Sequence, residues 1–170
     1  INLQIAKRHL REALVYNSNT GKEFLTLALP NENEGFELRN AFFKGCIAPK
    51  GITFIRGSKV LPDEIHVFEG MMDYLSAVSY QKDQQFEGDA IILNSVICLP
   101  QAYPYIKNYS YKSIRAWLDN DTIGDKTTTL LRKFSIENGL GCISMTQFYA
   151  GHKDVNAWHM HRRGLVPASK

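Results

Sequence analysis

The stretch "RAWLDNDTIGDKTTTLL", residues 115–131, decides how the rest of this chain is read. An apolar run ends at Leu118, and Asp119, Asp121 and Asp125 follow within seven residues before a helical pattern begins. A strand that runs into a helix through an acidic turn has two readings. In one, Asp121 and Thr122 cap the helix and Asp125 sits favourably in its first turns. In the other, Asp119 and Asp121 share one side of an extended backbone and offer two carboxylates to a metal ion.

The flanking segments repeat the arrangement. "EIHVFEG" is a compact strand candidate that closes on Glu69, and Gly70 lets the backbone turn tightly into a helix, "MMDYLSAVSYQK". "DAIILNSVICL" reads as a second buried strand, and "YPYIKNYSYKSI" leads to a third, "SIRAWLD". After the helix "TIGDKTTTLLRKFSIEN" come a fourth strand, "GCISMTQFY", and a last helix, "DVNAWHMHRRG". Strands alternating with helices predict an α/β fold with a parallel sheet covered on its faces. In such a sheet the working crevice lies beyond the carboxyl ends of the strands. Those ends carry Glu69, then Asp119 and Asp121, then Lys153 and Asp154 after Ala150-Gly151.

Upstream of Leu61-Pro62 the character differs. "NLQIAKRHLREAL" reads as a short helix with Leu3, Ala6, Leu10 and Leu14 on one stripe. "ALVYNSN", "EFLTLALP", "GFELRNAFF" and "GITFIRG" read as short strands bounded by Gly, Asn or Pro. The predicted organisation is a small, mostly β subdomain over 1–60, an α/β unit over 61–163 and a loose tail, "GLVPASK", over 164–170.

At 170 residues and 44% hydrophobic, the chain has material for one good core and a small satellite. It has no run long enough to span a membrane and no signal peptide, which points to a cytoplasmic protein. It opens on Ile1, as a fragment or processed product would. Cys46, Cys98 and Cys142 form no paired motif, so neither a thiolate zinc site nor a disulfide framework is expected, and buried reduced thiols are. The net charge of +3 is uneven: residues 1–60 carry nine Lys/Arg against five Asp/Glu, and residues 61–170 eleven against twelve. A basic front and an acid-bearing back suit an anionic partner held over a cation site.

Four carboxylates converging on one edge repel one another unless divalent cations lie among them, and Mg²⁺ prefers such hard oxygen ligands. Each acid also has an ordinary reading: a helix cap for Asp121, a surface acid for Glu69, a solvated turn for Lys153-Asp154. Their order, each after a strand and before a helix, favours the shared site. His159 and His161, two apart on a helix, point about 200° apart and are expected to be surface residues rather than ligands. Arg162 and Arg163 complement the helix dipole or meet a phosphate.

"VFEGMMDYLSA", "AWLDNDTIGDKTT" and "HKDVNAW" resemble the motif segments of the Toprim domain, which is shared by bacterial primases, topoisomerases, some nucleases and recombination proteins. The resemblance covers about residues 61–162 and implies a compact Rossmann-like sheet. The Asp121-to-Gly124 spacing and the Lys-Asp before the final helix resemble primases. "LPNENEGFELRNAFFKGCIAPKGIT" resembles the small subdomain before Toprim in primases of Bacteroides-type bacteria and their mobile elements. Ser95 after Asn94, Ile123 before Gly124 and K-D-V-N in the last motif depart from replicative primases and point toward an accessory or mobile-element type. The zinc-binding domain that precedes such cores is missing from this sequence.

The resemblance implies a DNA primase-like core that makes RNA primers on single-stranded DNA from ribonucleoside triphosphates, with a replicative helicase as a further partner. Mg²⁺ or Mn²⁺ would be held by Asp119, Asp121 and Asp154, with Glu69 as a further ligand or as the base that takes a proton from an attacking hydroxyl. Lys153 would face substrate phosphates. Asp73 and Asn156 would orient these groups, and Arg39, Lys44 and Lys50 would meet nucleic acid or nucleotide phosphates. A Toprim nuclease using the same acids, and a non-catalytic nucleic-acid-binding module, are the alternatives.

Overall fold

The structure, a computed structural model, describes residues 1, 3–81 and 85–165. A short helix α1 (Leu3–His9) leads into a four-stranded antiparallel sheet of β1 (Arg11–Asn17), β2 (Lys22–Pro30), β3 (Phe36–Arg39) and β4 (Lys44–Ile47), paired in chain order. The β1–β2 turn follows from its residues. The Asn17 side chain accepts from the N–H groups of Asn19 and Thr20, and Gly21 takes φ 67°, which glycine adopts without steric cost. The helix read over the first dozen residues therefore stops at His9. From Arg11 the chain alternates exposed and half-buried positions and pairs with β2, which leaves Leu14 exposed instead of on a helical stripe.

The second sheet has the order β5-β7-β6-β8-β9, from Thr53–Ile55, Asp89–Ile92, Glu64–Phe68, Ser113–Trp117 and Gly141–Ser144. β6, β7, β8 and β9 run parallel, and β5 is added antiparallel at the β7 edge. The α/β sheet expected from alternating strands and helices is present. Alternate residues serve two cores, as the strand period of two requires. Ile65, Val67, Ile91, Ile114 and Ala116 face α3 (Leu99–Lys107) and α4 (Thr122–Glu137), whose Ala102, Ile106 and Leu131 are fully buried. Phe68, Ala90, Ile92 and Trp117 face α2 (Met71–Tyr80) and α5 (Val155–Arg162), and Ile5, Leu10 and Leu29 of the front part join that core. Truncating such a buried leucine to alanine costs about 2–5 kcal/mol.

Three further readings are corrected. "DAIILNSVICL" is a strand only to Ile92; a 3₁₀ turn at Val96–Cys98 and α3 follow. That helix holds two prolines. Pro100 falls in the first turn, where the N–H has no helical partner, while Pro104 forgoes one backbone bond that burial of Leu99, Ala102 and Ile106 offsets. "GCISMTQFY" pairs only to Ser144 before another 3₁₀ turn, Thr146–Tyr149. Of the three free thiols only Cys98 is buried; Cys46 is exposed and Cys142 intermediate. The helix read as far as Lys82 and the tail beyond Leu165 extend outside the described residues. Within them no helix is long and apolar enough to cross a membrane.

Candidate functional site

Each acidic side chain at the sheet's carboxyl edge is delivered by a strand end. β6 ends at Phe68, and Glu69 donates its N–H to the Trp117 carbonyl (3.3 Å), so β6 and β8 remain aligned to the last residue. The Glu69 carboxylate in turn accepts from the Asp119 N–H (3.3 Å). α2 then begins directly behind Gly70.

Beyond β8, Leu118 is held through its carbonyl by the buried Tyr149 hydroxyl (2.6 Å), and Asp119 follows, 8% exposed. Gly124 lets α4 begin so close to this turn: a Cβ there would collide with the Asp119 carbonyl. Asp121 is the N-cap of α4, its Oδ1 accepting from Ile123 and Gly124 N–H, both at 2.9 Å. Asp154 caps α5 in the same way, accepting from Ala157 N–H at 2.6 Å. The capping reading of Asp121 is thus realised, and the cap leaves the outer oxygen of an exposed carboxylate available.

Asn120, between the two aspartates, ties the turns together. Its N–H donates to the Lys153 carbonyl (2.6 Å) and its amide to the His152 carbonyl (2.9 Å). Lys153 consequently lies over the acids, with Nζ 3.1 Å from Asp119 Oδ2. Neither Asn120 nor Tyr149 was picked out in the sequence. An asparagine inside D-N-D was a legible hint for the first, whereas the Tyr149 hydroxyl bond spans 31 positions and left no local mark.

The electrostatics are those of a crowded anionic edge. Burial, then the Asp119 and Asp121 charges, push Glu69 above the usual carboxylate range. Burial also raises Asp119 in spite of its bond to Lys153, and that bond raises Lys153. Asp73 lies beneath them, buried, accepting from the Asn156 N–H (3.1 Å). Burial first and the Asp154 charge next push it up to about 8. Asp73 thereby joins α2 to α5, and the Asn156 amide oxygen accepts from Ser76 as a second link.

Among the described residues no three His, Cys, Asp or Glu side chains already converge as a metal cage. The acids instead engage Lys153 and helix N–H groups. The donor set is nonetheless all carboxylate oxygen, a ligand type that suits a hard divalent cation.

The basic candidates sit elsewhere. Arg39 and Lys44 are opposite one another on β3 and β4, and Lys50 lies 4.0 Å from the buried Glu37 two residues before Arg39. The charge of Lys50 also reaches Cys98, just beyond the carboxyl end of β7. His159, expected on the surface, is 8% exposed, because α5 packs that side against the core. His161 instead faces His152, ring nitrogens 2.8 Å apart, and Arg162 lies over the Tyr80 and Trp158 rings.

Residues 66–159 match the Toprim-like family. The chain belongs to that family. Its first 48 residues match a second family, described only as a domain of unknown function. Two solved structures resemble the Toprim-like chain in fold. One is the primase fragment of the bacteriophage T7 primase-helicase protein, with TM-score 0.59 and 16% identity over 95% of this chain and 64% of that one. The other is from a complex of the T7 lagging-strand DNA polymerase with primase domains of two gp4 subunits bound to an RNA/DNA hybrid and dTTP. Its TM-score is 0.59, with 13% identity over 96% of this chain and 82% of that one. This chain therefore spans less than two thirds of the T7 primase fragment. No curated protein matches.

Proposed function

We propose that this Toprim-like chain is the core of a DNA primase-like enzyme that joins ribonucleotides on a single-stranded DNA template. The observation that carries the reading is the meeting of Glu69, Asp119, Asp121 and Lys153 at one sheet edge, linked through Asn120 and with Asp154 beside them. The fold likeness to the T7 primase fragment supports it, because that likeness extends across the front sheet as well as the Toprim-like part.

Asp119, Asp121 and Asp154, with Glu69, would hold Mg²⁺ or Mn²⁺, which polarises phosphate oxygens when bound. The chain's own groups divide the remaining work. Glu69, its proton affinity raised by burial and neighbouring charge, takes the proton of the attacking hydroxyl. Lys153 turns from Asp119 to the substrate phosphates and offsets their charge. Asp73 and Asn156 keep the starts of α2 and α5 in register beneath the acids. Arg39 and Lys44 on the front sheet and Lys50 in the loop that follows it hold the strand's phosphates, and a replicative helicase is the natural partner of such a primase.

The test incubates the protein with labelled single-stranded DNA, ribonucleotides and Mn²⁺ and examines one gel for longer and shorter products. Primers that disappear with Asp121→Asn support the polymerase. Shortened template, sensitive to Asp119→Asn, identifies a nuclease instead. Binding without turnover, indifferent to either substitution, leaves a nucleic-acid-binding module. Binding that weakens steeply with salt, with a slope reduced by about one for Lys44→Gln, would place phosphate on the front sheet.

A further inference from the structure

The α2 side of the second sheet is only partly covered. α2 and α5 pack over the carboxyl half of β6 and β8, and toward the amino half lies an open cleft of about 440 Å³. Glu64, at the start of β6, is five residues before Glu69, or roughly 16 Å along the strand. The polar floor of the cleft at Glu64 is therefore set apart from the acidic edge, although its Trp117 base ends two residues before Asp119. Its volume falls within the range of small-molecule sites.

The walls are aromatic. Trp117 lies at the base, Phe148 meets it edge to face at 5.5 Å, and Tyr80 meets Phe148 at 5.3 Å. Tyr80 and Phe148 are 43% and 38% exposed, so two large rings stand at the mouth, one side of Tyr80 lying under the Arg162 guanidinium at 5.3 Å.

The floor is polar and built. Glu64 Oε2 accepts from Arg115 Nε at 2.5 Å. Among the described residues the two terminal amino groups of Arg115 have no partner, leaving one edge of the guanidinium free. His66, 3% exposed, accepts at Nδ1 from the Trp117 indole N–H (3.1 Å), so its proton is on Nε2. Burial, the largest influence on this ring, holds it neutral, with its pKa lowered to about 4. Nε2 lies 3.3 Å from Glu64 Oε1 but without hydrogen-bond alignment, and it is a buried donor without a partner.

We propose that this cleft binds a nucleobase. Stacking on Tyr80 and Phe148 needs a flat ring, and every base has one. The Glu64–Arg115 pair is neutral as a unit and presents carboxylate and guanidinium side by side. That pattern matches the adjoining donors and acceptors of a base edge, and Arg is well suited to two ring-edge acceptors. Glu87 at the rim disfavours a phosphate there, so any phosphate attached to the base stays in solvent. A simple cation would meet the free guanidinium, and a purely apolar ligand would leave it unpaired. The inference does not depend on the chemistry of the acidic edge.

The test titrates adenosine, guanosine, cytidine and uridine into the full 170-residue chain in EDTA, following the fluorescence of Trp117 and Trp158. Saturable quenching at about millimolar concentration or tighter is expected for at least one nucleoside. Phe148→Ala and Arg115→Gln should each weaken it about tenfold, and Asp119→Asn should leave it unchanged. Both cleft side chains are partly exposed, and a thermal melt of each variant verifies folding. Tyr80→Ala supplies a second reading of the stack should Phe148→Ala fail to fold. Competition by a short single-stranded oligonucleotide identifies the source as a base within a strand, and no competition identifies a free nucleoside or nucleotide. The inference is overturned by absence of saturable quenching, by quenching indifferent to both cleft substitutions, or by its loss in Asp119→Asn. Sedimentation showing a dimer that Phe148→Ala dissolves would also overturn it, by making the cleft an interface between copies.

Discussion

Two buried aspartates at opposite ends of one sheet are treated in opposite ways. Asp89 starts β7, is fully buried, and is enclosed by donors: Arg56 Nη1 at 2.9 Å, Gly57 N–H at 2.7 Å and the Tyr111 hydroxyl at 2.5 Å. Asp73, under the carboxyl edge, has one donor among the described residues, the Asn156 N–H, and faces the charges of Asp154, Asp119 and Glu69. The amino end resolves its charge internally, as a structural network does. The carboxyl edge gathers acids that the fold leaves under-compensated, an imbalance that accompanies functional sites more often than structural braces.

The strongest way to break this contrast is Asp89→Ala. Removing the acid leaves the Tyr111 hydroxyl and the Gly57 N–H without their acceptor, while the exposed Arg56 turns to solvent, and a loss of about 2–4 kcal/mol is expected from urea unfolding. A loss below about 1 kcal/mol would mean that the network braces nothing. Gly124→Ala comes next. The new methyl meets the Asp119 carbonyl and α4 must shift, at a cost of about 1–3 kcal/mol. On the proposed primase reading, primer synthesis should fall with it, since the same shift moves Asp119.

The third measurement follows pH. Asp73 has its folded pKa raised from 3.8 to about 8, so above pH 4 the folded state keeps a proton that the unfolded state has lost. Its contribution is full below the unfolded value and declines as pH rises toward the folded one. In metal-free buffer, stability should fall between about pH 4 and 8 by up to about 1.4 kcal/mol per unit from this group. Asp73→Asn, which keeps the acceptor for Asn156 N–H, should flatten that slope. Equal slopes for both proteins would remove the charge imbalance from under the edge.

The smallest stability effect sharpens the contrast most. Asn caps a helix about as well as Asp, so Asp121→Asn should cost only about 0.5 kcal/mol. Loss of primer synthesis in a variant that melts almost normally would separate the chemical role of Asp121 from its capping role. Loss of both together would assign it to the cap.

What could be read along the chain was whatever local pattern records. "EIHVFEG" and "RAWLDND" announced buried strands ending in acids, and β6 and β8 lie where those runs predicted. The order of Glu69, Asp119, Asp121 and Lys153 along the chain anticipated their meeting at one edge, because parallel strands place successive ends together. α3 was missed because Pro100 and Pro104 mask a helix held by burial of Leu99, Ala102 and Ile106. β1 was read as a strand from Ala13, and only its start was taken for helix, because Leu3, Ala6, Leu10 and Leu14 happen to keep helical spacing across the boundary at Leu10.

The sequence by itself determined the strand-and-helix alternation, the Toprim-like pattern of acids and the turn that Gly124 permits. These depend on side-chain period, turn chemistry and residue type, all of which act over a few positions. Only the tertiary structure decided that Lys153 pairs with Asp119, that Asn120 joins the two turns, that His159 is buried and that an aromatic cleft opens beside Glu64 and Arg115. Those outcomes depend on contacts between residues some 30 to 50 apart in the chain, such as Asp119 with Glu69 and Arg115 with Glu64. Packing and desolvation select such partners only after the sheet has assembled, so no local stretch encodes them.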